Sequence, residues 1–141
     1  MFVGANLSNQ YLDKIKLLPP SEQKRFLSLL EEYEQATNRK ACDANFLPFV
    51  KHIWAAFIEG YHHTKMADAF DRVANGDLKR LIINMPPRHT KSEFASYLLP
   101  AWYLGKNPEK KIIQIAHTAE LAVGFGRKVR NLVGSEDFKE V

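Results

Sequence analysis

With 141 residues, 45% hydrophobic and 26% charged, the chain has the size and apolar content of one globular domain and is unlike a disordered tail. Lys and Arg total 20 against 16 Asp and Glu, a net charge of +4 that permits contact with nucleic acid without demanding it. The single cysteine, Cys42, excludes an internal disulfide framework and a cysteine-rich zinc site, and the apolar runs are too short and too often interrupted by charge to span a bilayer. The opening Met1-Phe2-Val3-Gly4 lacks a basic stretch followed by a long apolar core, so no secretory signal is read and a soluble, intracellular protein is expected.

Residues 1–20 read as a lead-in closed by Pro19-Pro20, with Ser21 placed to cap a helix. Phe26, Leu29, Leu30 and Tyr33 recur at helical spacing, which predicts a helix over residues 21–36, ended by the polar Asn38-Arg39-Lys40. Phe46, Phe49, Trp54 and Phe57 mark an aromatic stretch, with Pro48 near the start of a helix running towards Gly60. Thr64 is placed to cap the next helix, whose inward face is Met66, Ala67, Ala69, Phe70 and Val73 and whose stop is Gly76.

The period then changes. Leu81-Ile82-Ile83-Asn84-Met85 is an almost continuous apolar run, as in a strand buried on both faces. A helix is expected over residues 91–104 with Phe94, Leu98, Trp102 and Tyr103, kinked or shortened by Pro100. A second apolar strand, Ile112-Ile113-Gln114-Ile115-Ala116, precedes a helix over residues 118–132 that buries Leu121, Val123, Phe125, Val129 and Leu132. Strand, helix, strand, helix predicts an α/β fold with a parallel sheet and a right-handed crossover.

Chemistry concentrates in Pro86-Pro87-Arg88-His89-Thr90-Lys91-Ser92, between the first strand and its helix. This is the layout of a phosphate-binding loop. A helix start offers unpaired N–H groups to phosphate, Lys91 reaches the β- and γ-phosphates, and Ser92 places its hydroxyl on Mg²⁺. Met85 and Thr90 stand where the general pattern has glycines. Either the loop avoids positive φ at Thr90, or this β-branched residue is strained. Pro86 and Pro87 stiffen the turn but donate no N–H, and Arg88 compensates as a charged, bidentate donor. The competing reading is an ordinary strand–helix turn.

The string from Pro86 to Ser92 resembles the variant Walker A loop of bacteriophage terminase large subunits, the ATP-driven motors that package viral DNA. Tyr61-His62-His63-Thr64, the stretch from Ala74 to Ile83 and the segment from Ile113 to Ala122 with Gly126-Arg127-Lys128-Val129-Arg130 extend the resemblance over residues 46–141. It implies a RecA-like P-loop NTPase: a parallel-sheet fragment at 46–141 behind a helical lead-in at 1–45. It also implies ATP and Mg²⁺ as cofactors, held by Pro86, Pro87, Arg88, His89, Thr90, Lys91 and Ser92. Lys91 and Arg88 would stabilise charge in phosphoryl transfer and Ser92 would ligate the metal. The implied partners are double-stranded DNA, the terminase small subunit, the portal protein and further copies in a homo-oligomeric ring, with no membrane, in the host cytoplasm. The family's later acidic strand motif and nuclease domain have no counterpart here, so slow turnover or none is expected of this chain alone. The alternatives are a truncated, non-catalytic remnant or interaction module of a packaging complex, and a different P-loop NTPase such as a helicase, against which the Pro-Pro-Arg-His string argues.

Other residues carry weaker signals. The adjacent His62 and His63 are expected to point apart, against a shared metal site and in favour of a loop packing role or a nucleotide-base contact, for which Tyr61 and His62 are the candidates. His89 suits phosphate contact or loop support, and His117 a ligand contact or a helix-capping or core role. Arg127, Lys128 and Arg130, like Lys106, Lys110 and Lys111, form solvated faces or tracks for DNA phosphate. Trp54, Phe57, Phe70, Phe94 and Trp102 read most simply as core.

Overall fold

Helices account for every regular element in the computed structural model, which describes Ile15 and residues 17–140. The expectations for the N-terminal lead-in therefore fall mostly outside the described residues. In chain order the helices are α1 (Pro20–Ala44), α2 (Phe46–Ile53), α3 (Tyr61–Ala74), a π-wound segment (Glu93–Leu98), α4 (Leu99–Lys106), α5 (Ala119–Val133) and α6 (Glu136–Lys139). The chain divides into two compact units, Met1–Arg39 and Lys40–Val141. None of the helices among the described residues is long and apolar enough to cross a membrane.

The first unit holds most of α1. The helix starts one residue before the expected cap, with Pro20 in its first position, where a missing N–H costs nothing. It does not stop at Asn38-Arg39-Lys40 but continues to Ala44, since these residues are polar without being helix breakers. Leu27, Leu29 and Tyr33 are exposed.

The second unit is built around Phe46, at the N-terminus of α2. Its ring meets Phe70 of α3 at 5.3 Å, Phe94 of the π segment at 5.5 Å and Trp102 of α4 at 5.6 Å, all edge-on. Such aromatic geometry adds about 0.5–1.5 kcal/mol per pair to area burial. Cys42, Phe49, Val50, Met66, Ala67, Leu98, Ala101, Val129 and Leu132 belong to the same buried cluster. Burial pushes the Cys42 thiol up to about 11, so it behaves as an apolar filler. Asp71 accepts the Phe46 N–H at 2.8 Å and so satisfies the start of α2, where Asn45 makes no side-chain cap. Burial raises the Asp71 carboxyl above its ordinary range, and the Phe46 N–H opposes that rise.

Helix α2 ends at Ile53 and does not reach Gly60. Of the five residues expected to face inward on α3, Met66, Ala67 and Phe70 are buried and Ala69 and Val73 are half-buried, and Gly76 takes the left-handed φ of +84° that follows its end. Its N-cap is Gly60 and not Thr64, which lies inside the helix and donates to Glu59 at 3.0 Å.

The expected parallel sheet is not formed: among the described residues there is no strand. Residues 81–86 and 110–116 run outside regular structure. Each is apolar on alternate sides. Ile83 and Met85 pack on the core cluster, whereas Ile82 is 93% exposed; Gln114 and Ala116 are half-buried, whereas Ile113 and Ile115 are 86% and 90% exposed. An extended segment becomes a strand only when a neighbour takes up its N–H and C=O groups. These two runs find helices on one side and no ladder on the other. The P-loop NTPase sheet is thereby replaced by an all-helical fold with two apolar connectors.

Pro100 does not break its helix. The residues are helical from Lys91, π-wound from Glu93 to Leu98 and α-helical to Lys106. Pro100 has no N–H for the carbonyl of Ser96, four residues back. The winding widens, with the Leu99 N–H on the Phe94 carbonyl, and the Gln114 side-chain amide donates to Ser96 O at 2.7 Å. On α5 only Val129 and Leu132 of the five expected core residues are buried; Phe125 is half-buried and Leu121 and Val123 are exposed.

Candidate functional site

The loop from Pro86 to Ser92 leaves the core at Met85 and re-enters it at Phe94. Thr90 O accepts the Phe94 N–H at 2.9 Å, so the winding starts at Lys91 and the N–H groups of its first turn face the loop. Two non-glycine residues in the loop hold positive φ: Arg88 at 65° and Thr90 at 57°. Thr90 thus takes the strained alternative. A β-branched residue held in that region costs about 1–3 kcal/mol and persists only where its surroundings over-determine it.

Those surroundings are side-chain hydrogen bonds. Gly60 N–H donates to His63 Nδ1 at 2.9 Å, so the ring proton of neutral His63 resides on Nε2. His63 Nε2 lies 2.7 Å from Thr90 Oγ1, and Thr90 Oγ1 donates to His89 O at 2.7 Å. The relay joins the start of α3 to the loop. A Cβ at Gly60 would stand 3.0 Å from His62 Cε1, so glycine is what lets the imidazoles crowd this helix start. His63 is 6% exposed and lies between Phe57 at 4.8 Å and Phe94 at 5.1 Å, ring to ring. Burial, then the charges of His62 and His89, hold it below the usual histidine range, with Glu59 acting in the opposite sense.

Lys91 is half-buried, and its Nζ reaches back to Met85 O at 3.4 Å across the mouth of the loop. Arg88, Pro86, Pro87, His89 and Ser92 are exposed. His89 Nδ1 bonds Pro87 O at 2.9 Å, which braces the turn. Ser92 lines an open cavity of about 260 Å³ with Ser96, Gln114, Ile115, His117 and Phe125. A larger one, about 710 Å³, lies along α5 between Glu93, His117, Leu121 and Lys128; the loop contributes nothing to it.

Within the loop, Lys91 Nζ meets Met85 O and Thr90 Oγ1 meets His89 O, while Pro86, Pro87, Arg88 and Ser92 face solvent. The structure gives His63, expected to have a loop packing role or a base contact, two hydrogen bonds, one of them to the loop's Thr90. The rings of His62 and His63 do not point apart: their centroids lie 3.8 Å from each other, and His62 lies 5.6 Å from His89. Among the described residues no group of three or more His, Cys, Asp or Glu side chains could hold a metal by itself. His117 is exposed and caps nothing; Thr118 is the N-cap of α5, accepting from Leu121 N. Tyr61 is exposed at the start of α3. Lys128 is tied to Glu93 at 2.9 Å, while Arg127 and Arg130 are exposed. One signal for His63 was present in the sequence: a polar residue three places after a helix-starting glycine is placed to bond that glycine's N–H.

The chain matches no protein-family model, no curated protein and no solved structure.

Proposed function

We propose that residues 86–92 form a triphosphate-binding loop and that the chain is the ATP-binding portion of a DNA-packaging motor of the kind it resembles, the phage terminase large subunit. The observation that carries this reading is Thr90 at φ +57°, strained and braced by His63, directly before Lys91 at the start of a helix. Backbone strain with dedicated support is characteristic of ligand clamps, and left-handed residues in a turn gather N–H groups into anion-binding concavities. On this reading Lys91 and Arg88 meet the triphosphate charge and Ser92 meets Mg²⁺. The loop reading does not depend on a sheet: what it uses is the turn, the lysine and the helix start. Double-stranded DNA, a small subunit, a portal protein and further copies in a ring follow from the resemblance and stand with it.

A second reading, an interaction module without turnover, is favoured by the bare apolar side chains of Leu27, Leu29 and Tyr33 on α1 and of Ile113 and Ile115 beyond it in the chain. Titration with Mg-ATP by calorimetry, beside Lys91→Ala, separates the two. Saturable binding by the wild type, weakened at least about tenfold by Lys91→Ala, is expected of the loop reading, since a hydrogen bond to a charged group is worth ~1.5–3 kcal/mol. Flat titrations of both proteins would leave the module.

A further inference from the structure

We propose that His63 is the positioning residue of the phosphate loop: from the start of α3 it holds Thr90 in its left-handed conformation and thereby sets the loop's affinity for a triphosphate. The inference rests on the reading of residues 86–92 as a phosphate site and extends it to a residue 27 positions upstream of the loop's Thr90.

Three features argue for the role. His63 is the only buried polar or charged residue among those described, so its polar atoms must find partners within the protein. Both ring nitrogens do, and the partner of Nε2 is the hydroxyl of the strained residue itself. The bonds also run in one direction. Gly60 N–H fixes the proton on Nε2, Nε2–H donates to Thr90 Oγ1, and the hydroxyl is left one proton, spent on His89 O. A hydroxyl pinned from both sides cannot rotate with a change in φ, so the ring acts on the backbone of residue 90 and through it on where Lys91 begins the helix. A packing role for the imidazole would need only its contacts with Phe57 and Phe94. It would not need the hydroxyl.

The test is a cycle in the whole chain. Mg-ATP affinity is measured for the wild type, His63→Ala, Thr90→Gly and the pair together. Glycine takes φ near +57° unaided, so it removes the need for the brace. His63→Ala is expected to weaken binding about tenfold beside Thr90 and by less than about twofold beside glycine, with partial rescue by His63→Gln, whose amide can donate to the same hydroxyl. An equal loss in both backgrounds would overturn the proposal in favour of packing. A second readout needs no nucleotide. In amide NMR spectra, acidification that titrates His63 should move the Thr90 and Lys91 signals with the same midpoint, and His63→Ala should abolish that transition. Independence of the Thr90 signal from His63 would sink the proposal even if ATP binds. Failure of the wild type to bind ATP would instead defeat the phosphate reading, and with it the claim on affinity, while the shared transition would still establish the brace.

Discussion

Thr90 carries two demands that conflict, a β-branched side chain and a left-handed backbone, and its hydroxyl is what reconciles them. Two substitutions separate the demands. Thr90→Gly removes the strain together with the hydrogen bonds and is expected to unfold within about 1 kcal/mol of the wild type. Thr90→Val keeps the branching, loses the hydroxyl and leaves His63 Nε2–H without an acceptor, for a loss of about 1–3 kcal/mol. Urea denaturation of the two variants checks the difference. His63 adds a pH dependence of definite sign. Unfolded, it takes a proton near 6.5; folded, burial and then the neighbouring His62 and His89 depress its affinity, against Glu59. Between those two points the unfolded chain binds more protons. The His63 contribution is therefore complete well above pH 6.5 and is lost as the pH falls through the window below it, at no more than about 1.4 kcal/mol per pH unit. Stability curves at several pH values should show this slope in the wild type and lack it in His63→Gln.

At the scale of elements, the coupling between Pro100 and Gln114 explains how a proline sits inside a continuous helix. The proline withholds a donor from Ser96 O, and a glutamine from the second apolar connector returns one. Gln114→Leu is expected to cost about 1–3 kcal/mol by leaving that carbonyl unpaired, and the cost should vanish in Pro100→Ala, where a backbone N–H is restored. Chemical denaturation of the four proteins measures the coupling. The same elements show what could be read in advance. Helix α3 was legible because Met66 and Phe70 repeat at helical spacing and Gly76 ends the run. The start of the loop helix was legible because Lys91 follows a proline-stiffened turn. The sheet was misread because an apolar run such as Leu81-Ile82-Ile83 states only that the segment is extended and apolar. Whether it becomes a strand depends on a neighbour that the run does not encode. The bond from His63 to Thr90 was missed because that partner is far along the chain, and the stacking of His62 on His63 because alternation of adjacent side chains was applied to a helix start, where the rings can lean together.

At the scale of the whole molecule, stability of the second unit converges on Phe46. Phe46→Ala should cost about 3–5 kcal/mol, read as a fall in the denaturation midpoint, because the rings of Phe70, Phe94 and Trp102 meet at that side chain, while the backbone bond to Asp71 is kept. The bare isoleucines behave oppositely. Ile113→Lys with Ile115→Lys removes exposed apolar surface and should leave stability within about 0.5 kcal/mol per substitution while reducing self-association in sedimentation velocity. The bond from Trp102 Nε1–H to Cys42 O, 2.7 Å long and buried, has a consequence for dissecting the chain. The second compact unit begins at Lys40, inside a helix and not at its end. A fragment begun at Lys40 keeps the carbonyl that receives the indole proton. One begun at Asn45, the natural place to cut between helices, strands that proton in an apolar interior at a cost of about 1–3 kcal/mol. The working border of this unit is set by Cys42, through its buried side chain and the carbonyl that meets the Trp102 indole, not by the gap between two helices.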